Sequence, residues 1–277
     1  MIGSSSVVKI GEVDVNGSEW KAFVRLKDRI AWLTGGAGGI GEAIARLFAE
    51  NGARVAITDL DSGGAARVAR DIVEDGGAAW SAQLDVTDQD AVEDVASTIV
   101  KKHGRIDILV NIAGVGSSVS FTEITLEEFE RVMRINVTGS LICAQVAARQ
   151  MIKRNYGRII NLASISGARA GELRTGYGTS KAAVIGLTRQ GARELGAYGI
   201  TVNAIGPGPV DTPLSREFHS DVTRANYNRM IPMGRYGTVD EMADAALFLA
   251  GEAAGYVNGQ TLFVDGGYIS AGVGEAK

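Results

Sequence analysis

Thr34-Gly35-Gly36-Ala37-Gly38-Gly39-Ile40-Gly41 stands between an apolar run over 29–34 and an amphipathic stretch over 39–50. Glycines at such a junction permit a tight turn and let backbone N–H groups approach a pyrophosphate, while the start of a helix adds favourable partial charge. A glycine cluster alone is weak, because a plain strand–helix turn looks the same. Its place after a first strand and directly before a helical pattern strengthens the nucleotide reading.

Outward from this loop the chain beats regularly. Strand candidates lie at 29–34, 53–58, 78–84, 106–111, 157–163, 200–205 and 261–264. Between them, helical patterns run near 39–50, 63–75, 88–103, 125–154, 176–197 and 239–250. Continuous Val/Ile/Leu runs alternating with helices predict an α/β fold with a parallel sheet covered on both faces. Right-handed crossovers make that sheet doubly wound, with its ligand cleft at the carboxyl ends of the strands. No repeat or linker divides residues 28–277, which read as one domain. Residues 1–27 differ: strand-like runs over 7–15 and 20–26 meet at Asn16-Gly17, a dipeptide suited to a type I′ hairpin. A lone hairpin is marginal in water, so this extension is expected to pack on the body or on another subunit.

Composition narrows the function. Of 277 residues 45% are hydrophobic, with 37 Gly and only 4 Pro, which suits a buried core with many tight turns. A net charge of −4 favours neither nucleic acid nor an anionic membrane surface as partner. Cys143 is the single cysteine, which rules out an internal disulfide, and its apolar helical surroundings predict burial. His103 and His219 are far apart and lack ligand spacing, so no metal site is expected. The chain shows no secretory leader pattern and no apolar stretch of about 18 residues, which reads as a soluble cytoplasmic protein.

Asp59 closes the second strand, 18 residues after Gly41. An acid there accepts hydrogen bonds from the adenosine ribose and repels a 2′-phosphate. No Lys or Arg lies within the glycine loop, and Leu60-Asp61 follow, so NAD is favoured over NADP. Asp61, rather than Asp59, is assigned the cap of the next helix. Asp85-Val86 ends the third strand, where Asp85 either meets the adenine amino group or caps the helix at 88. Asn111-Ile112-Ala113-Gly114 ends the fourth, its small residues leaving room for a cofactor or forming a plain turn.

Tyr177-Gly178-Thr179-Ser180-Lys181 places a phenol and an ammonium four residues apart, on one helical face. A phenol normally loses its proton near pH 10, and a neighbouring cation brings that value toward neutrality. The pair alone has a bland reading, a solvated helix surface. Ser164 ends the fifth strand thirteen residues before Tyr177, so both hydroxyls are placed to converge on one substrate oxygen. Asn136 interrupts the 125–154 helical pattern, which predicts a helix distortion or a water-mediated link to Lys181, against an exposed helical Asn.

Taken together, Thr34-Gly35-x-x-x-Gly39-Ile40-Gly41, Asn111-x-Ala113-Gly114, Asn136, Ser164, Tyr177-x-x-x-Lys181, Asn203-Ala204 and Pro207-Gly208-x-Val210-x-Thr212 resemble the short-chain dehydrogenase/reductase family. The resemblance runs from about residue 28 to Gly267. It implies NAD(P)-dependent alcohol–carbonyl oxidoreduction on a single Rossmann-type domain, commonly in homotetramers. It gives Tyr177 the role of base, Lys181 the lowering of its pKa and a ribose contact, Ser164 substrate orientation, and Asn136 a water relay. Cofactor contacts are implied at Gly35, Gly39, Ile40, Asp59, Asp85, Val86, Asn111, Tyr177, Lys181 and Val210, with Thr212 near the carboxamide. Ile112 departs from the pattern, which usually has a second asparagine there. The substrate expected is a small polar or cyclic secondary alcohol. The alternatives are a 3-oxoacyl-thioester reductase, which would prefer NADPH, and a silent nucleotide-binding scaffold or sensor, which has no need of all four catalytic residues.

Substrate choice is expected to lie in 115–120, 166–176 and 213–236. The last mixes Leu214, Phe218, Tyr227, Met230 and Met233 with Arg216, Glu217 and Arg224, and reads as an amphipathic lid or a packed surface helix. Arg169, Glu172 and Arg174 are candidates to meet a hydroxylated or anionic substrate, or are solvated loop charges.

Overall fold

Side chains along β1 (Ile30–Thr34) explain the architecture: Ala31 and Leu33 join one apolar cluster, Ile30 and Trp32 the other. The same alternation recurs in β2 (Arg54–Asp59), where Val55 and Ile57 face one way and Ala56 the other. A strand apolar on both faces must be covered on both. The computed structural model describes residues 26–212, 215–216 and 219–272, so the expected hairpin lies outside the described residues, as do Leu214, Glu217 and Phe218 of the expected lid.

Five further strands complete a seven-stranded sheet: β3 (Ala78–Gln83), β4 (Ile108–Asn111), β5 (Gly157–Leu162), β6 (Ile200–Pro207) and β7 (Thr261–Val264). Their order is β3-β2-β1-β4-β5-β6-β7, and every neighbouring pair is parallel. The sequence places each of these strands, with shifts at the ends: β4 begins at Ile108 rather than at 106, and β6 runs on to Pro207.

Among the described residues the helices are α1 (Gly39–Glu50), α2 (Ser62–Glu74), α3 (Gln89–His103), α4 (Leu126–Met133), α5 (Ser140–Ile152), α6 (Thr175–Leu195), α7 (Asp221–Met230) and α8 (Val239–Ala250). Of these α1, α2, α3, α5, α6 and α8 flank the sheet, α4 packs on α6, and α7 buries none of its residues. Ile44 and Phe48 of α1, Val68 and Ile72 of α2, and Leu247 of α8 fill one core. Val92 and Ile99 of α3 with Val146 and Met151 of α5 fill the other, where Cys143 is buried and its thiol pushed up to about 12. Side-chain oxygens cap α2 (Asp61), α3 (Asp88), α4 (Thr125), α7 (Ser220) and α8 (Thr238) by accepting first-turn N–H groups. The helical pattern over 125–154 is not one regular helix. Between α4 and α5 the backbone widens into a π-helical turn, Arg134–Gly139, carrying Asn136.

The chain leaves β1 for β2 on one side and reaches β4 on the other. The carboxyl ends of β1 and β4 therefore part, which is where doubly wound sheets bind ligands.

Candidate active site

The glycine loop fills the crevice beyond β1. Gly35 (φ +72°) and Gly39 (φ +54°) adopt left-handed backbone that disfavours any side chain. A Cβ on Gly35 would come within 2.6 Å of the Ala113 backbone nitrogen, so the glycine is what lets the loop rest on the end of β4. A Cβ on Gly38 would meet nothing, and α1 starts there without a side-chain cap, unlike α2, α3, α4, α7 and α8. Uncapped N–H groups behind an open glycine face fit an anionic pyrophosphate. Ile40 turns inward onto the first core.

Asp59 stands beside this loop. Its Oδ2 accepts from the Ala37 N–H at 3.0 Å and its Oδ1 from the Asp61 N–H at 3.0 Å. Asp61 caps α2 through Gly64 N–H, as expected. One neighbour was invisible in the linear order: Arg67 of α2 donates to the Ala37 carbonyl at 3.2 Å, although no basic residue lies within the loop itself. Its charge is matched by Glu42 at 2.6 Å and Asp71 at 3.4 Å, and Arg67 together with Arg46 of α1 holds the Glu42 carboxyl below its usual range.

Asp85 is exposed and accepts from the Thr87 N–H and hydroxyl, while Asp88 caps α3; the capping alternative for Asp85 is therefore set aside. Val86 is buried under Gly139 of the π turn. Asn111 is buried, and its Nδ2 donates to the Ser140 carbonyl and to Asn161 Oδ1, tying β4 to α5 and β5. Val210 is buried and bridges to Gly237. Thr212 faces Gly39 across the crevice, its methyl being the atom nearest to where a Gly39 Cβ would lie.

The catalytic candidates converge at the end of β5. Ser164 opens a short 3-10 turn, Ile165–Gly167, that presses on α6: a Cβ on Gly167 would fall 2.7 Å from the Lys181 backbone. From α6, Lys181 is buried and its Nζ donates to the Leu162 carbonyl at 2.7 Å. Burial pulls its pKa down to about 8. Lys181 Nζ lies 5.7 Å from the Tyr177 ring centroid.

The expected effect of Lys181 on Tyr177 needs correcting. The phenol's pKa is raised rather than lowered, because loss of water outweighs the Ser164 hydrogen bond and the Arg174 charge, both of which pull it down. An ammonium itself disfavoured by burial is a weak counter-charge at that range.

Asn136 is 1% exposed, against the reading of an exposed helical Asn. Its Oδ1 accepts from the Val115 N–H at 2.8 Å, and its Nδ2 donates to the Val115 carbonyl at 3.0 Å and to Ser180 Oγ at 2.9 Å. Ser180 in turn donates to the Tyr177 carbonyl at 2.7 Å. Asn136 and Lys181 share one small space, which Gly114 leaves open: its Cβ would sit 3.0 Å from Asn136 Oδ1 and 3.6 Å from Lys181 Nζ. Ser180 and Gly114 were not singled out as catalytic candidates; a small residue at each is the only sequence signal.

Aromatic side chains from four places close the far wall. His219 stacks on Tyr227 at 5.5 Å and shares a hydrogen bond with the Tyr236 hydroxyl at 2.9 Å, and Tyr227 also meets Tyr268 at 5.9 Å. No described helix is long and apolar enough to cross a membrane, and among the described residues no cluster of His, Cys, Asp or Glu is arranged to hold a metal.

Comparison with known proteins agrees with this fold. A profile of the family described as "Enoyl-(Acyl carrier protein) reductase" matches residues 35–269. The chain is 35% identical over 246 residues to a 3-oxoacyl-[acyl-carrier-protein] reductase of Thermotoga maritima, covering 89% of this chain and 100% of that one. It is 36% identical over 243 residues to an NAD-dependent glycerol dehydrogenase of Listeria innocua, covering 88% and 94%. A solved gluconate 5-dehydrogenase from Burkholderia cenocepacia, in complex with NADP and tartrate, superposes with a TM-score of 0.88 at 37% identity, covering 91% and 100%. With its seven-stranded parallel sheet and glycine loop, the chain belongs to the short-chain dehydrogenase/reductase family of oxidoreductases, which bind a nicotinamide cofactor.

Proposed function

We propose that this protein interconverts a secondary alcohol and a ketone with NAD as cofactor, the substrate being a small polar or cyclic alcohol. The observation that carries the reading is the packing of Ser164, Tyr177 and Lys181 at one strand end, with Lys181 held on the Leu162 carbonyl. Gly35, Gly39 and Ile40 would hold the pyrophosphate, Asp59 the adenosine ribose, and Asp85, Val86, Asn111, Val210 and Thr212 the rest of the cofactor. A bound nicotinamide supplies the hydride acceptor for oxidation, or the donor for reduction. Tyr177 takes the hydroxyl proton as oxidation proceeds and returns it in reduction. Ser164 fixes the reacting oxygen beside that phenol and stabilises charge developing there. Lys181 keeps its proton on the buried side of Tyr177, and Asn136 sets the backbone of 115 and the Ser180 hydroxyl on which α6 rests.

Asp59 supports NAD over NADP, because a carboxylate already fixed by two backbone N–H groups cannot turn away from a 2′-phosphate. Arg67 beside the loop and the NADP-bound gluconate 5-dehydrogenase among the similar structures speak for NADP, though the Arg67 charge is spent on Glu42 and Asp71. We also propose assembly into a homotetramer, supported by the exposed Leu141, Phe248, Tyr256 and Leu262 around α5, α8 and β7. A spectrophotometric panel of polyols, cyclic alcohols and 3-hydroxyacyl thioesters, each with NAD and with NADP, tests the function. Reduction of NAD by at least one alcohol is expected. A response only to the thioesters with NADP would replace this reading with the acyl-thioester reductase, and no response at all would favour a silent nucleotide-binding protein.

A further inference from the structure

Arg174 differs from every other described cation around the catalytic cleft. Lys181 is bound to the Leu162 carbonyl. Arg169 donates to the Tyr268 carbonyl at 3.2 Å and lies over that ring. Arg224 pairs with Asp211 at 3.0 Å and stacks on Tyr236 at 4.3 Å, keeping one nitrogen unpartnered but its charge matched. Arg174 has one long hydrogen bond, Nη1 to Ser118 Oγ at 3.4 Å, and among the described residues no carboxylate within ion-pair distance. Glu172, two residues earlier in the chain, is exposed and forms no ion pair with Arg174, and two other acids on that side are committed elsewhere. Asp211 holds both Arg216 and Arg224, and Asp265 accepts from the Gly267 and Ile269 N–H groups.

This unmatched guanidinium is beside the reacting group, 5.9 Å from the Tyr177 ring centroid, and its field bears on both Tyr177 and His219. The backbone holds it there at a cost. Leu173, directly before it, adopts a left-handed conformation (φ +59°) that a γ-branched residue does not favour, and its side chain is half exposed, so burial does not compensate. A bridge between Val119 and Arg174 pins the same point from the opposite wall. The left-handed Leu173 and the Val119 bridge together fix beside a phenol a cation that no described carboxylate neutralises, an arrangement suited to an anionic ligand.

We infer that Arg174 binds a carboxylate of the substrate, so that the compound oxidised at Tyr177 is a hydroxy acid rather than a neutral alcohol. The inference rests on Tyr177 being the proton-transfer residue. A guanidinium offers two parallel N–H donors to a carboxylate, and its charge draws an anion toward the phenol. Arg174 makes and breaks no bond; it fixes which hydroxyl-bearing carbon is presented.

Tartrate and threitol test this directly, since they share one carbon skeleton and both secondary hydroxyls and differ only in carboxylate against hydroxymethyl ends. Each is titrated calorimetrically into the full-length enzyme saturated with NADH, where alcohol oxidation does not proceed. Tartrate is expected to bind at least about 10-fold more tightly than threitol, the size of one charged hydrogen-bonded pair. Arg174→Met should remove that preference and Arg174→Lys retain part of it, with NADH binding unchanged in both. Equal affinity for the two compounds, including none measurable for either, overturns the inference, as does a preference that survives in Arg174→Met. The outcomes separate this from the parent reading. Neutral alcohols oxidised as readily as hydroxy acids would sink Arg174 alone, whereas Arg174-dependent tartrate binding without oxidation of any alcohol would sink the dehydrogenase reading alone.

Discussion

Lys181 carries two demands that oppose each other. Its ammonium is wanted next to Tyr177, yet its site is buried enough to bring its pKa from 10.5 to about 8. A base whose folded pKa is depressed binds fewer protons when folded, so its burial destabilises the protein fully below about pH 8, and the penalty fades as pH rises toward 10.5. Lys181→Met removes this penalty, roughly 1–3 kcal/mol near neutrality, less the cost of leaving the Leu162 carbonyl without its donor. The difference should shrink through the window from pH 8 toward 10, beyond which the raised Tyr177 phenol adds its own dependence. Urea unfolding of both proteins across this range measures it, and a gap that does not change with pH would contradict the account. The Tyr177–Lys181 pair was legible in sequence because its spacing is local. Its electrostatics were not, because the direction of a pKa shift depends on how much water the fold removes.

At the scale of elements, the π turn Arg134–Gly139 does what a regular helix would not. It turns Asn136 inward, where both ends of its amide meet the Val115 backbone and Ser180. Asn136→Leu would leave the Val115 N–H and carbonyl without partners, at a cost of about 2 kcal/mol or more. It would also loosen the Ser180 contact that seats Tyr177, so turnover should fall beyond what the lost stability explains. Thermal unfolding and steady-state rates compared at a temperature where both proteins are fully folded check this. In the sequence the turn showed only as an Asn in an otherwise helical run. Which way its side chain points is set by Gly114 and Ser180, one on a distant loop and one on α6. Capping was similarly half legible: Asp61 was assigned correctly, while Asp85 and Asp88 compete for one helix start and only the backbone path decides for Asp88.

For the whole molecule, alternation of apolar runs and helices was enough to place all seven strands and the crevice where β1 and β4 part. What stayed hidden was assembled from distant segments: Arg67 against the glycine loop, and His219, Tyr227, Tyr236 and Tyr268 around the substrate wall. No periodicity announces such meetings, because they depend on how loops close over the sheet rather than on any strand or helix signal. The central claim joins both kinds of information: a nucleotide-binding sheet delivers a cofactor to a phenol that moves a proton. Tyr177→Phe tests it most directly, with NADH affinity measured by titration and turnover by absorbance of the reduced cofactor on the best alcohol of the panel. NADH affinity should be nearly unchanged and turnover reduced about 10²- to 10⁴-fold, the usual worth of a positioned acid–base group. Turnover within a few-fold of the wild type would contradict it.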